Sequence, residues 1–363
     1  MNKRRFLKLF GLLLAGGAAT GAGAIAVARS KNPYYSGPVS DHFDGLNFYN
    51  PGGHAPKGFI DLLKWQTGGG RKKWPAEYPS PYRDAPPETV SGKDLRVSYV
   101  GHATVLIQTN DLNILTDPVW SQRCSPVSWA GPKRVNQPGI AMEDLPRIDV
   151  VLLSHNHYDH LDLDTLSQLK RRFDPLIVTP LGNDRILKNR DPDFRIAVGD
   201  WGDTVQMSSS TKVSFEPMHH WSARGMGDRR NALWAAFVIQ GPSGVIYHIG
   251  DTGFHDGKNY RAFNAKYGSP RLAILPFGAY EPRDFMKHQH QNPDEAVQGH
   301  QLCGAEFTLG HHWGTFQLTN ESIEDQLNAL DAARDKHGVS ADIFRALQPG
   351  QSWTIPEKAP EEI

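Results

Sequence analysis

The stretch "VLLSHNHYDHLD", residues 151–162, decides how this chain is interpreted. An apolar, strand-like run leads directly into His155, His157, Asp159 and His160, which are all residue types that bind divalent metals. Polar residues at the end of a strand lie at the carboxyl edge of a sheet, where ligands commonly bind in α/β folds. The stretch therefore predicts a metal site at the end of a buried strand.

Three further strand-like runs end in the same way. "TKVSFEPM" leads to His219 and His220, "GVIYHIG" leads to Asp251, and "AEFTLG" leads to His311 and His312. Because neighbouring side chains of a strand point to opposite faces, we expect one histidine of each pair to reach the site. The number of candidate ligands is then larger than the four that one tetrahedral ion needs. Two ions about 3.5–4 Å apart that share an aspartate fit this number of ligands.

Composition narrows the classes of function. A chain of 363 residues is long enough for one large domain or two smaller ones. It has 39 Lys and Arg against 39 Asp and Glu, so no net charge favours binding to a nucleic-acid backbone. Cys124 and Cys303 are far apart with no CxxC spacing, which suggests neither a disulfide framework nor a thiolate zinc site. Any metal is therefore expected to be held by histidine and carboxylate.

The amino terminus is typical of an export signal. Residues 1–28 have a basic head, an apolar stretch from Leu9 to Ala28 and small residues suited to a signal peptidase. "NKRRFLK" resembles a twin-arginine signal, a class that exports folded proteins. The segment is also about long enough to remain as a membrane anchor. Either alternative predicts that the protein works in the periplasm or at the periplasmic face of the inner membrane.

The rest of the chain is predicted to form an arm and one main domain. Residues 29–92 are rich in Gly, Pro, Tyr and Trp, which favours an extended arm wrapped on the domain of residues 93–356. In that domain the early strand-like runs are joined by turns and the later ones by helical segments. Those segments are "DLDTLSQLKRRF", "NPDEAVQGHQLCG" and "SIEDQLNALDAARDKHG". The order predicts a mixed α/β domain whose sheets are covered by helices.

Several motifs of the chain together resemble those of a known family. "SHNHYDH", "GDTG" and "HHWG" together resemble the metallo-β-lactamase fold. "VGHATVLIQ", "LTDPVW", "HWSARG", "PFGAYEPRDFMKHQHQNPDEA" and "HHWGTF" are similar to its branch of N-acylphosphatidylethanolamine-hydrolysing phospholipase D, and the resemblance runs roughly from Asp41 to Trp353. It implies an αββα sandwich with two mixed sheets covered by helices.

The resemblance also assigns ligands. It implies that one zinc ion is held by His155, His157 and His220, that a second is held by Asp159, His160 and His312, and that Asp251 bridges the two. His219 and His311 are then expected to support or pack against the ligands. His102, in "VGHAT", matches a position whose expected role is turn structure or support of a ligand.

Further residues are candidates for catalysis. Tyr158, Gln289 and His290 match family positions that line the site, and Asp159 is expected to orient the nucleophile besides binding metal. A neutral imidazole at His290 could donate a proton to the leaving oxygen or hold the phosphate. The four remaining histidines that we considered have no role that the resemblance supports and are expected to be structural: His248, His255, His288 and His300.

The function implied by the resemblance is a dinuclear zinc phosphodiesterase. Its expected substrate is N-acylphosphatidylethanolamine or a related phospholipid, with a membrane surface and a second copy of the chain as further partners and no nucleic acid. Two alternatives stay open, a zinc-dependent lactone or amide hydrolase of the same fold and a non-catalytic, envelope-associated binding protein. A nuclease is disfavoured by the neutral charge.

Overall fold

Two mixed seven-stranded sheets form the centre of the structure, a computed structural model that describes residues 31–225 and 227–357. The strands are β1 (Leu95–Gly101), β2 (Thr104–Thr109), β3 (Leu112–Thr116), β4 (Val150–Leu152), β5 (Leu176–Pro180), β6 (Ile196–Gly199), β7 (Thr204–Gln206), β8 (Lys212–Glu216), β9 (Ala236–Gly241), β10 (Gly244–His248), β11 (Leu272–Pro276), β12 (Phe307–His311), β13 (Phe344–Ala346) and β14 (Ser352–Thr354). The predicted signal peptide or anchor at residues 1–28 lies outside the described residues.

The two sheets have the same internal plan. Sheet 1 has the order β14-β1-β2-β3-β4-β5-β6, and sheet 2 has the order β13-β12-β11-β10-β9-β8-β7. In each sheet the strands pair antiparallel in one half and parallel in the other, and the change comes at β3 in sheet 1 and at β10 in sheet 2. The parallel strands carry their carboxyl ends to one edge, so polar residues that follow them can meet there.

Helices accompany the sheets. They are α1 (Phe59–Thr67), α2 (Leu163–Phe173), α3 (Asn183–Arg190), α4 (Lys258–Tyr267), α5 (Arg283–Met286), α6 (Pro293–Cys303) and α7 (Ile323–His337), with 3-10 turns at Met142–Asp144 and His255–Gly257. Within residues 31–225 and 227–357, none of these helices is long and apolar enough to cross a bilayer.

The period-two pattern of the strands sorts their side chains into layers. In β4, Val150 and Leu152 face the core between the sheets, whereas Val151 faces outward and packs with Leu166 and Leu169 of α2. Each buried strand therefore contributes to two cores, one between the sheets and one under the covering helices.

Sheet 2 repeats this arrangement on the other side of the sandwich. Leu272 and Ile274 of β11 enter the central core, while Leu275 packs outward with Tyr260 and Phe263 of α4. Helices thus cover the outer face of both sheets. The predicted αββα sandwich is confirmed.

The helix ends that the sequence indicates are present. Asp162 caps α2 by accepting hydrogen bonds from the backbone N–H groups of Asp164 and Thr165. Asn292 and Glu295 form a reciprocal capping box at the start of α6. The three helical segments quoted above are therefore α2, α6 and α7.

Other elements are not evident from the sequence. Strands β6, β7, β13 and β14 have three or four residues each, and β7 and β14 are at sheet edges with mostly exposed side chains. Segments of three or four residues are too short to show a periodic pattern. They are identified as strands only by their pairing with a neighbouring strand. Helix α1 is likewise a helix within the segment that we predicted as extended.

The arm is built into the cores of the domain. Phe43 and Phe48 are buried in the core outside sheet 2, and Trp74 is buried in the core between the sheets. The indole N–H of Trp74 donates to the carbonyl of Glu321 at 2.8 Å. The boundaries at residues 28 and 92 stay predictions, but these contacts make residues 43–74 part of the folded structure. Cys124 and Cys303 are both buried and free.

We expect Phe48→Ala to lower the free energy of unfolding by about 3–5 kcal/mol, because it removes a buried aromatic ring and leaves a cavity. Chemical denaturation followed by fluorescence measures the change. Val39→Ala is the matched control in the same arm, since Val39 is 69% exposed and its loss should change stability by less than about 0.5 kcal/mol. Equal stability of the two variants would mean that the arm does not contribute to the core.

Candidate metal centre

Loops that follow β4, β8, β10 and β12 bring the predicted ligands together. His155, His157, Asp159 and His160 follow β4, and the other three come from the loops after β8 (His220), β10 (Asp251) and β12 (His312). The donor atoms of these residues fall into overlapping groups in which all atoms lie within 4.8 Å of one another. The structure therefore places all seven predicted ligands in one cluster, while their binding of metal stays a prediction.

The first group consists of three histidines. His155 Nε2 lies 2.9 Å from His157 Nδ1, and His220 Nε2 lies 3.2 Å from the same atom. Three ring nitrogens that point at one another cannot all be satisfied by mutual hydrogen bonds, because a neutral imidazole has one donor and one acceptor. Three converging imidazole nitrogens are, however, the donor set that zinc and related ions prefer.

The second group combines one carboxylate with histidines. Asp159 Oδ2 lies 3.3 Å from His312 Nε2 and 3.6 Å from His160 Nε2. The same oxygen is 2.9 Å from His102 Nε2. His102 thus supports Asp159 directly, one of the two roles expected for it.

Asp251 connects the two groups. Its Oδ2 lies 3.1 Å from His312 Nε2, 3.2 Å from His160 Nε2 and 3.8 Å from His220 Nε2. Among the described residues, Asp251 Oδ1 is buried and has no hydrogen-bond partner. Buried polar atoms are rarely left unpartnered, so this oxygen fits a ligand of a divalent ion. The His and Asp cluster can therefore hold a metal, with Asp251 between two sets of ligands.

The electrostatics of the two groups differ. Burial lowers the pKa of His155 and of His220 well below the usual range, and it lowers the pKa of His157 to about 4. These imidazoles are neutral at neutral pH and offer a lone pair. In the second group burial also opposes charge, but Asp251 and Asp159 raise the pKa of His312 to about 9. Metal binding would therefore displace a proton from the second group.

A buried network that starts at Asp117 holds the ligands from behind. The carboxylate of Asp117 accepts hydrogen bonds from the backbone N–H and the hydroxyl of Ser154, both at 2.7 Å, and lies 2.8 Å from His160 Nδ1. The Ser154 hydroxyl is 2.9 Å from His155 Nδ1. Such partners fix the tautomer of each imidazole, so that Nε2 faces the centre.

We did not predict the role of Asp117. It stands in "LTDPVW" directly after β3, so a polar residue at a strand end, the signal used for the ligands, could have found it. Ser154 carries no comparable signal, because a serine at the end of a strand is common. The role of Ser154 depends on Asp117, which follows the neighbouring strand β3.

His219 and His311 lie outside both groups, as expected, but the reason that we predicted is wrong. His219 and His220 are in the loop after β8 and not in a strand, and His312 follows β12 in a left-handed conformation with φ 64°. The reversal of the chain at His312, rather than alternation along a strand, separates it from His311. The ring of His219 stacks on His255 at 4.2 Å.

The three candidate catalytic residues occupy different positions. Gln289 acts through its backbone, because its carbonyl oxygen lies 2.9 Å from His220 Nδ1. His290 borders the cluster, with Nδ1 at 3.9 Å from Asp251 Oδ2, and it is half-buried. Burial lowers the pKa of His290 to about 3.

Tyr158 points its hydroxyl away from the ligands. The hydroxyl donates to the carbonyl of Arg224 at 2.9 Å, and the Arg224 guanidinium lies 4.0 Å from the centre of the tyrosine ring. Arg224 also donates to the carbonyls of Asn156 and Leu161, at 3.0 and 2.8 Å. Arg224 and Tyr158 together thus hold in place the loop that carries the ligands. Arg224 stands in "HWSARG", but its role was not predicted, since arginine alone does not indicate contacts with distant carbonyls.

Comparison with known proteins agrees with this geometry. The chain belongs to the β-lactamase superfamily, because the family model described as a β-lactamase superfamily domain matches residues 112–313, which include all seven clustered residues. It is thereby placed among the metal-dependent hydrolases of the metallo-β-lactamase fold. A relative that is 36% identical over most of its length, N-acyl-phosphatidylethanolamine-hydrolyzing phospholipase D 1, places the chain in the branch similar to that enzyme.

Two curated relatives carry that name. N-acyl-phosphatidylethanolamine-hydrolyzing phospholipase D 1 of Caenorhabditis elegans is 36% identical over 74% of this chain and 78% of its own length. The mitochondrial enzyme of Saccharomyces cerevisiae is 32% identical over 64% of this chain and 50% of its own. An uncharacterized protein of Mycobacterium tuberculosis is 36% identical over 69% of this chain and 66% of its own length.

Solved structures share the fold. An isothiocyanate hydrolase from Delia radicum gut bacteria has a TM-score of 0.57 at 20% identity, over 71% of this chain and 99% of its own. A metallo hydrolase from Ignicoccus hospitalis has a TM-score of 0.53 at 20% identity, over 72% and 99%. The diiron β-hydroxylase CmlA from Streptomyces venezuelae has a TM-score of 0.52 at 19% identity, over 73% and 54%.

We expect Asp117→Asn to weaken metal binding by about 10–100-fold, because an amide cannot accept from Ser154 and orient His160 in the same way. Competition with a chromophoric chelator measures the affinity, and circular dichroism checks the fold. Asp144→Asn makes the same chemical change at an exposed position and should leave the affinity unchanged. If the Asp117 variant bound metal with the affinity of the wild type, this carboxylate would not support the metal centre.

Proposed function

We propose that the protein is a dinuclear zinc phosphodiesterase that cleaves N-acylphosphatidylethanolamine, or a related phospholipid, in the manner of a phospholipase D. The observation that carries the proposal is the position of Asp251, whose Oδ2 lies within 3.8 Å of nitrogens from both ligand groups. One carboxylate shared by two donor sets suits a pair of ions. The names of the relatives supply the substrate class.

The residues of the chain would divide between the two ions as the family resemblance implies, and the measured groups of donor atoms also include His102 and His290. One ion would be held by His155, His157 and His220, the other by Asp159, His160 and His312, with Asp251 between them. When bound, a pair of such ions supplies a hydroxide nucleophile near neutral pH and neutralises negative charge on the phosphate. No catalytic serine or cysteine is then needed.

The proposed reaction is a single hydrolysis. The oxygen of a water molecule forms a bond to phosphorus while the bond between phosphorus and the head-group oxygen breaks. The departing oxygen takes up a proton, so the products are phosphatidic acid and an N-acylated amino alcohol. His102, at 2.9 Å from Asp159 Oδ2, would hold that carboxylate in position. His290, half-buried beside Asp251, would as a neutral imidazole stabilise the departing oxygen by a hydrogen bond.

Helix α1 favours a lipid substrate over a small soluble one. Ile60 and Leu63 lie three residues apart on its surface and are 68% and 53% exposed, beside the exposed Lys64. Exposed apolar side chains beside a basic residue are a feature of helices that lie on a membrane surface. The helix packs on the segment that leads to His290, because Trp65 stacks on Phe285 at 5.0 Å.

The experiment that tests the function uses water labelled with oxygen-18. We expect the metal-loaded protein, incubated with N-acylphosphatidylethanolamine vesicles, to release phosphatidic acid that carries the label, since the attacked atom is phosphorus. Mass spectrometry measures both products, and protein stripped of metal is the control. Label in free fatty acid alone would identify an acyl hydrolase, and a metal-loaded protein without turnover on any phospholipid would favour the binding protein.

Elemental analysis of the same samples tests the metal. We expect about two zinc ions per chain, and iron is measured alongside because a diiron hydroxylase shares the fold. Two iron ions per active chain would contradict zinc while leaving the dinuclear centre in place.

We expect His290→Ala to lower turnover by about 10²–10⁴-fold at unchanged metal content, because the departing oxygen loses its partner. Steady-state assays on phospholipid vesicles measure the effect. His337→Ala removes an imidazole that pairs with Asp294 and should keep full activity. A fall of less than threefold in the His290 variant would assign this residue to structure alone.

A further inference from the structure

The arm makes a tight turn at the loop that follows β8. The turn has the sequence "NPGG", and the N–H of Gly53 donates to the carbonyl of Asn50 at 2.9 Å. Pro51 at the second position and Gly52 with φ 70° at the third position are the residues that a type II turn favours. The turn therefore holds Asn50 and Gly53 next to each other.

Asn50 connects this turn to the ligand His220 by a direct hydrogen bond. The Nδ2 atom of Asn50 donates to the carbonyl oxygen of His220 at 2.8 Å, and its Oδ1 atom accepts from the indole N–H of Trp234 at 2.9 Å. A carbonyl oxygen can only accept and an indole N–H can only donate, so these two partners define the orientation of the amide. Because Trp234 is fully buried, Asn50 is tied to the core of the domain.

Gly53 brings the backbone of the arm onto the same loop. A Cβ atom on Gly53 would lie 2.2 Å from His219 Cε1 and 2.8 Å from the Cβ atom of Asn50, so a larger residue would push the turn away from the loop. The preceding part of the arm is anchored separately, since the N–H of Phe48 donates to the carbonyl of Arg230 at 2.8 Å. The arm is therefore held beside His220 at several points.

Different partners hold the ring and the main chain of His220. The carbonyl oxygen of Gln289 lies 2.9 Å from His220 Nδ1 and orients the ring. Within the part of the chain that the structure describes, the bond from Asn50 is the only hydrogen bond to the main chain of His220. An imidazole can be aimed only from a main chain that is itself in place. The contact with the arm therefore supplies what the contact with Gln289 does not.

We infer that Asn50 is a positioning residue of the metal centre, so that the arm is required for tight binding of one of the two ions. The inference rests on the proposed function, in which His220 shares an ion with His155 and His157. The hydrogen bond from Asn50 fixes the main chain at His220 and thereby the point from which the imidazole reaches the ion. Loss of a contact behind a ligand typically weakens metal binding by about 10–100-fold.

The test compares zinc binding by wild type and Asn50→Leu, both as the full-length protein. Leucine has the branched shape of asparagine without its hydrogen-bonding groups, and Trp234 keeps the carbonyl of Met218 as a partner at 3.1 Å. Competition with a chromophoric chelator measures the affinity for each ion. We expect one ion to bind at least about tenfold more weakly in the variant, because His220 is no longer held, while the other ion is unaffected. Asn328→Leu makes the same change at an exposed position and should match wild type.

A second readout separates positioning from a merely structural role. The visible absorption spectrum of the cobalt-loaded protein reports the geometry of the ligands, which a contribution to stability alone would leave unchanged. We expect Asn50→Leu and Gly53→Ala to alter this spectrum in the same way, since the added Cβ atom on Gly53 pushes the turn away from the loop. Variants that bind zinc like the wild type, or that lose both ions equally, would overturn the inference and leave the metal centre in place. A wild type that binds no metal would overturn both.

Discussion

The burial of three carboxylates in one place is the constraint on which the rest of the structure depends. Asp117 and Asp251 are buried and Asp159 is half-buried, and an isolated charge in such surroundings costs several kcal/mol. The cost is met because histidines surround each of them, and these imidazoles lower the pKa of Asp251 well below its usual range although burial opposes the charge. Strand ends from both sheets must therefore converge, since no single loop could supply enough partners.

The sandwich satisfies this constraint through its symmetry. Each sheet has a parallel half, and the loops after β4, β10 and β12 of these halves carry six of the seven residues to a shared edge. The loop after β8, in the antiparallel half of sheet 2, adds His220. The loops themselves have little regular structure, so other contacts keep them in place. Arg224 holds the carbonyls of Asn156 and Leu161, and the carbonyl of Gln289 orients His220. The loop after β8 also meets the arm, because Gly53 packs closely against the ring of His219.

Much of this could be predicted from local patterns. The buried strands β4, β10 and β12 are apolar runs that end in polar residues, and α2 and α6 have capping residues at their starts. Seven clustered residues were found by that rule together with the family resemblance. Edge strands such as β7 were not found, because three mostly exposed residues are too few to show a period. Helix α1 was not found, because the Gly- and Pro-rich sequence around it favours an extended arm.

By itself the sequence determined the residue types of the centre and the strands that deliver them, because periodicity and strand-end polarity are local properties. Only the tertiary structure decided which atoms meet. Three contacts join residues that are distant along the chain. Asp251 lies between both ligand groups, Asp117 supports His160, and Tyr158 bonds to Arg224. The same holds for His54 and His288, which are 234 positions apart and yet lie ring to ring. Such contacts depend on how two sheets and an arm pack, and no local pattern records that packing.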